Sequence, residues 1–351
     1  MLFLIVNFHN VHEENKYPYP GTHPTPAIRL KEQLELLSEN FTFIGQNTLH
    51  KALNGETRLP DRCCMITFDD GFRCQYENAL PILDSMKIPA MFYACGVQYA
   101  EGKALLSHKF QYLRANQGQE WLSNRIKLKY FELTGKEYKI DEEVKIRARN
   151  HYVYDKGETC YFKFFVNYIL EEQIRDFIIQ NIFSDLVRDE KEFCEMFYMS
   201  HVQLKDLSKR SYLGIHGYAH RHLCRLSQGE IEKDICKNIE ILKGITKKPL
   251  FSISYPWGTP ESVSLEVANT AKKKGLLWGV TMERAFNRSL ANPLMFARLC
   301  ENDAIGGKYP LINFEDGNLK ILSGGVKKRR STYFEESAIS DISDEMMMDA
   351  N

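Results

Sequence analysis

No run of apolar residues in this 351-residue chain approaches the roughly 20 that a membrane-crossing helix needs, so no integral membrane segment is expected. An excess of one charge is missing too. Lysine plus arginine number 46 and aspartate plus glutamate number 46, for a formal net charge of zero. Proteins that bind nucleic acid through its phosphates usually carry a basic excess, so nucleic acid is not expected as a partner. Paired metal-type cysteine spacing is absent. The nine cysteines are odd in number and scattered, and the adjacent Cys63 and Cys64 point to opposite faces if they lie on a strand. Reduced thiols in a cytoplasmic protein are the expectation. The apolar start at Leu2–Phe8 has no positive residue before it, and His9-Asn10 ends it before a secretory signal could be completed, so it reads as a buried first strand. Internal repeats are lacking as well. The remainder, 44% hydrophobic and 26% charged, suits a globular chain with a sizeable core and leaves the oligomeric state unknown.

What is present is an alternation of short apolar runs with helical patterns. A turn-rich stretch, Tyr17 to Pro26, contains four prolines and one glycine and reads as a surface loop near the mouth of a site. Helical spacing follows at Ile28, Leu30, Leu34, Leu36 and Leu37, then a short strand around Phe41–Ile44. Cys63–Phe68 reads as a strand, Tyr76–Met86 as a helix and Ala90–Cys95 as the next strand, which makes a βαβ unit with parallel strands. From 102 to 199 the periodicity turns helical, for example over Phe162–Phe177. Alternation then resumes. Ser200-x-x-Gln203 and Ser227-x-x-Glu230 have capping-box form, Tyr212–Ile215, Phe251–Tyr255 and Leu276–Thr281 read as strands, and Thr259-Pro260 is expected to open a helix ending near Lys274-Gly275. The expected organisation is an α/β domain over 1–325, interrupted by a helical insertion at 102–199, with a disordered tail at 326–351.

Three strand ends carry chemistry. Thr67-Phe68-Asp69-Asp70-Gly71 places two adjacent carboxylates where both would repel if buried and ionised. A cation beside them resolves that conflict, one carboxylate ligating and the other free to move protons. Alone, Asp-Asp-Gly is a common turn. His216-Gly217-Tyr218-Ala219-His220 has histidines four apart, which share one face if the segment is a helical turn, and with one carboxylate they make a set that leaves metal positions open. His222 then points elsewhere and is read as structural. Tyr255-Pro256-Trp257-Gly258 fixes a rigid turn with backbone N–H groups able to face a ligand.

In this order and context the three motifs resemble the polysaccharide deacetylase family, the NodB-homology or carbohydrate esterase family 4 group, over roughly Leu2 to Asn302. The resemblance implies a distorted (β/α) barrel with its site at the carboxyl ends of the strands. It also implies Asp69 as catalytic base, Asp70, His216 and His220 as ligands of a divalent metal, usually zinc, and Tyr255, Pro256 and Trp257 as a pocket turn giving a backbone contact to an oxyanion. Arg298, in Phe296-Ala297-Arg298-Leu299, stands where many relatives place an arginine that orients the base. Two departures are visible. No histidine follows His222, so the Leu-x-His general acid of many relatives is absent; Phe8-His9-Asn10-Val11 resembles instead a branch whose acid sits at the first strand end, which makes His9 the candidate. Gly217 stands where serine or threonine is usual, with the loss of a supporting hydrogen bond implied. The implied activity is hydrolysis of an N-acyl, most often N-acetyl, group from an amino-sugar substrate. Without an export signal, a small nucleotide-linked or lipid-linked sugar is expected, with the insertion as a lid over it. A deformylase, a non-sugar amidohydrolase, and a silent sugar-binding relative are the competing readings.

Overall fold

The structure, a computed structural model, describes residues 1–322 except 15, 17, 19–22, 153, 261 and 316. The expected tail at 326–351 and half of the Tyr17–Pro26 loop lie outside the described residues. The chain divides into two compact units, one made of Met1–Glu13, His23–Glu101 and the chain from Glu195 onward, the other of residues 14–22 and 102–194.

The first unit is built on a curled, half-barrel sheet. Its strands are β1 (Leu2–Phe8), β2 (Thr42–Phe43), β3 (Arg62–Phe68), β4 (Ala90–Ala94), β5 (Leu213–Ile215), β6 (Ser252–Ser254), β7 (Trp278–Val280) and β8 (Leu299–Cys300). They run in the order β7-β6-β5-β4-β3-β1-β8, with β2 also on β3, and every pairing within this sheet is parallel. Near-continuous apolar sequence in β1, β3 and β4 is what a strand covered on both faces requires, and all three are buried almost throughout. Side chains alternate between two cores. Leu4, Val6, Cys64 and Ile66 pack towards helices such as Ala27–Ser38 and Gln228–Thr246. Phe3, Ile5, Cys63, Met65, Met91 and Tyr93 meet Trp278 and Phe296 on the inner face. The segment Phe296–Cys300 links the outermost strands: Phe296 bridges to Val280 of β7, and Leu299 pairs with Val6 of β1. This is the (β/α) barrel expected, opened and distorted.

Parallel strands bring all carboxyl ends to one side, so His9, Asp69, His216 and Tyr255 leave the sheet together. Several local details differ from expectation. The helix after Asp69-Asp70-Gly71 begins as a π-helical turn, Gln75–Ala79, before Leu80–Met86. Pro81 has no N–H to continue an α-helical ladder through that point. The helix expected from Thr259 starts instead at Leu265, where the side chain of Ser264 accepts the N–H of Val267; the Thr259 carbonyl closes a turn with Ser262 and Val263. Helix Gln46–Leu53 had no counterpart in the sequence reading. Both capping boxes form, at Ser200 and Ser227.

The second unit is helical. Leu106–Gln117 and Gln119–Thr134 pack on Glu172–Leu186, and Glu142–His151 packs on Gly157–Phe164 around Val144, Ala148, Cys160 and Phe164. The stretch Phe162–Phe177, helical by periodicity, is interrupted at Leu170 and Glu171.

Candidate functional site

Each of the three motif turns uses left-handed backbone. Asp70 has φ 75° and Gly71 φ 70°; Gly217 has φ 68° and His220 φ 56°; Trp257 has φ 65° and Gly258 φ 63°. For a non-glycine residue this conformation costs about 1–2 kcal/mol, so its recurrence at these strand ends marks positions held for a purpose other than stability. It also corrects the expectation for the histidines. His216–His220 is an irregular loop, and the imidazoles converge because the chain reverses at Gly217 and again at His220, not because they share a helical face.

The convergence is close. His216 Nε2 lies 3.4 Å and His220 Nε2 3.6 Å from Asp70 Oδ1, and one ligating atom from each residue falls within 4.8 Å of the others. Two donors bound to one tetrahedral zinc at about 2.05 Å stand about 3.3 Å apart, so this set fits a shared divalent ion. His216 Nδ1 lies 2.7 Å from the carbonyl oxygen of Ser254, which can only accept; Nδ1 therefore carries the proton and Nε2 presents its lone pair. Burial disfavours the charged form of His216, but Asp69 and Asp70 outweigh it and raise the pKa, the mark of a pocket that favours positive charge. Helix Gln228–Thr246 holds the loop from outside. Asp234 Oδ1 accepts the Tyr218 N–H (2.7 Å), and Asn238 Nδ2 donates to the carbonyls of Gly217 (2.7 Å) and Ala94 (3.1 Å). A Cβ on Gly217 would lie 2.8 Å from Pro256 Cγ, so Pro256 fills the space that a serine or threonine side chain needs.

Asp69 is held differently, by a side-chain network. Arg298, wholly buried, donates through Nη1 to Asp69 Oδ1 (3.0 Å) and through Nη2 to Oδ2 (2.7 Å), the two-pronged geometry that suits guanidinium and carboxylate. It also lies within hydrogen-bond distance of Asn7 Oδ1 (2.8 Å), Thr67 Oγ1 (3.1 Å), Ser254 Oγ (2.9 Å) and the Thr281 carbonyl (2.9 Å), the two N–H groups of Nη1 being shared among Asp69, Asn7 and Thr67. Asn7 Nδ2 donates in turn to Asp69 Oδ2 (3.1 Å). Burial pushes the Asp69 pKa up, but the charge of Arg298, followed by that of His216, the Arg298 hydrogen bonds and His9, brings it down to about 2.

His9 follows β1, and the charge of its imidazole bears on Asp69 and on the half-buried Glu301, whose pKa burial raises and His9 lowers. Gln75, wholly buried, donates through Nε2 to the carbonyls of His9 (2.8 Å) and Asp69 (2.5 Å). Trp257 donates through Nε1 to the His220 carbonyl (3.1 Å) and stacks on His222 at 4.7 Å, while His222 Nδ1 pairs with Ser262 Oγ at 2.6 Å. Tyr255 is a core residue: its ring is fully buried and its N–H donates to the Val280 carbonyl (3.2 Å). This corrects the oxyanion expectation for Tyr255 itself, since that N–H belongs to the sheet. Pro256 has no N–H to offer.

Asn7, Thr67, Ser254, Gln75, Asp234 and Asn238 were given no role by the sequence reading. Their signal was polarity at positions that the strand and helix periods send inward. Asn7 continues Phe3 and Ile5, Thr67 continues Cys63 and Met65, and Asp234 and Asn238 share the buried stripe of Ile231, Ile235 and Leu242.

The model of the family described as polysaccharide deacetylase matches residues 56–115 and 186–276. Over 95 residues the chain is 30% identical to the poly-beta-1,6-N-acetyl-D-glucosamine N-deacetylase of Escherichia coli K12, a match covering 27% of this chain and 14% of that protein. Among solved structures, it is similar to the Streptococcus pyogenes deacetylase PplD solved in complex with acetate, with a TM-score of 0.50 and 12% identity, covering 86% of this chain and 92% of that one. It is similar also to a de-N-acetylase from Aggregatibacter actinomycetemcomitans, with a TM-score of 0.50 and 11% identity, covering 85% and 94%. These structural likenesses concern the fold.

Proposed function

We propose that this chain, which belongs to the polysaccharide deacetylase family, hydrolyses the N-acyl group of an amino sugar, with Asp69 as base and His9 as acid. The carrying observation is the meeting of Asp70, His216 and His220 within 4.8 Å beside a second carboxylate fixed by a buried arginine. Asp70, His216 and His220 would hold a divalent metal, and the imidazole and carboxylate donors suit zinc. When bound, such an ion supplies Lewis acidity, polarising an acyl oxygen and acidifying water.

The chain's own residues do the rest. Asp69, held at about 2, is ionised at any working pH, and the Arg298 fork fixes the direction of its lone pairs. As a C–O bond forms between water and the acyl carbon, Asp69 takes the water proton. As the C–N bond breaks, His9 gives a proton to the amine nitrogen, which as an anion would be a very poor leaving group. The products are the carboxylic acid and the free amine, and proton exchange with solvent restores both residues.

The test is turnover of an N-acetylglucosamine oligosaccharide by the full chain loaded with zinc. Asp69→Asn and His216→Ala are each expected to abolish it with the fold intact, and near-normal deacetylation by either sinks the assignment. The finer proposals, a compact nucleotide-linked or lipid-linked substrate and a cytoplasmic site of action, rest on the sequence reading. A panel of polymeric, nucleotide-linked and formylated sugars under the same metal decides the substrate, and fractionation of cells carrying the full chain decides the location. No helix among the described residues is long and apolar enough to cross a membrane.

A further inference from the structure

We infer that the π-helical turn Gln75–Ala79 is a clamp that sets His9 against Asp69, with Gln75 as its positioning residue. This rests on the roles proposed above for those two side chains. The parallel ladder between β1 and β3 runs through Phe8 and Phe68 and closes with the Asp69 N–H on the Phe8 carbonyl (3.2 Å). Past that rung no strand pairing holds the two chain ends together, yet the acid and the base both lie there. The Gln75 amide takes over, donating to the carbonyls of His9 (2.8 Å) and Asp69 (2.5 Å), residues 66 and 6 positions before it. Asn78, on the same face of the turn, donates through Nδ2 to the Val11 carbonyl (2.7 Å), so the loop carrying His9 is gripped at two points.

A wholly buried glutamine is costly, and a leucine or methionine fills such a place more cheaply; here the Nε2 bonds are made while Oε1, also buried, has no partner among the described residues, so the cost is only partly offset. Both of its donated bonds go to residues assigned to the chemistry. The turn is also widened from α to π geometry, a feature that recurs at functional sites. Because the Asp69 carboxylate is held separately by the Arg298 fork, loss of the clamp falls chiefly on the acid, and so on leaving-group departure rather than on attack. An amide must have its nitrogen protonated, whereas a nitrophenolate departs without help.

The experiment measures the zinc-loaded full chain on an N-acetylglucosamine oligosaccharide and on para-nitrophenyl acetate. It compares wild type with Gln75→Met, Asn78→Ala, His9→Ala and the Gln75→Met/His9→Ala pair. Displacing a catalytic group by about an ångström costs about 10²-fold, so Gln75→Met is expected to slow the amide by about that factor and the ester by at least about ten-fold less. In the His9→Ala background it should slow the amide no more than it slows the ester, since the group it positions is gone. Asn78→Ala, at a half-buried site, should shift the ratio the same way by less, and it carries the test if Gln75→Met does not fold. Equal slowing of both substrates, or full additivity with His9→Ala, overturns the clamp while leaving the deacetylase reading in place. A wild-type chain that cleaves neither substrate overturns that reading, and the clamp with it.

Discussion

The two halves of the site are fixed by different means. On the side of the proposed metal ligands, Asp70, His216 and His220 are aimed by backbone: two of the three are themselves left-handed, and glycine follows Asp70 and His216 with φ near 70°. On the side of the proposed base, Asp69 is aimed by side chains, through the fork of Arg298 and the polar atoms of Asn7, Thr67 and Ser254 around it. A backbone-held ligand depends on a few glycines and on what packs beside them. A network-held base depends on every member being satisfied, because an unpaired polar group in that interior is expensive. Ser254 joins the halves, its carbonyl accepting from His216 and its hydroxyl from Arg298.

The contrast breaks most sharply at the ligands. Asp70→Ala or His216→Ala should remove metal and lower turnover by about 10³-fold or more, while the base network and circular dichroism stay as in wild type. Metal content of the purified variants checks it. A variant that keeps stoichiometric zinc would place the cation elsewhere.

Next in size comes Arg298→Leu, which leaves the Asp69 carboxylate buried without its partner. The expected loss is about 3–5 kcal/mol of stability, read by denaturant unfolding, and activity falls with it. Arg298→Lys keeps the charge but loses the fork, and should recover much of the stability and little of the turnover. Equal recovery of both would mean that charge alone holds the base.

Legibility from sequence followed the same division. Asp69-Asp70-Gly71, His216 to His220 and the Tyr255 turn are each contiguous, and their residue types announce chemistry, so the proposed ligands could be picked out and placed at the strand ends where they converge. The strands themselves were legible because burial on both faces leaves an almost unbroken apolar run, as in Leu2–Phe8. The base half was not legible beyond Arg298. Asn7, Thr67 and Ser254 are ordinary residues far apart in the chain, and only the register of β1 with β3 and the inward turn of β6 bring them to one guanidinium. The helical reading of the His216 loop failed for a related reason, since spacing gives the distance along the chain and not the sign of φ.

A smaller effect sharpens the metal side. Gly217→Ala adds a Cβ 2.8 Å from Pro256 Cγ at a left-handed position, so it should cost about 1–3 kcal/mol and weaken zinc binding before it touches Asp69. Zinc titration and thermal melting of the chelated chain separate the two losses. Wild-type zinc affinity in this variant would show that the loop is not held by the close packing of its backbone.

The smallest expected effect is the most discriminating, because its two readouts move in different directions. Asp234 is buried and its pKa is raised, burial outweighing the N–H groups of Tyr218 and Ala219 that its carboxylate accepts. A carboxyl whose folded pKa lies above its unfolded one stabilises the fold relative to neutral pH only while protonated, and that contribution is lost as pH rises from the unfolded value through the folded one. Asp234→Asn removes the cost of burying charge at neutral pH and keeps one oxygen for the Tyr218 N–H. Its stability without metal should therefore lie within about 1 kcal/mol of wild type, comparing best near pH 7 and less well below about pH 4. Zinc affinity should nevertheless fall about 10- to 100-fold, because the amide cannot accept from both N–H groups with the strength of a charged acceptor, and the loop carrying His216 and His220 loosens. If affinity and stability fell together, Asp234 would be a structural residue whose loss merely unsettles the helix. Affinity lost at unchanged stability would show that the backbone of this loop, for all its glycine-made shape, still needs a side chain from outside to keep its ligands in place.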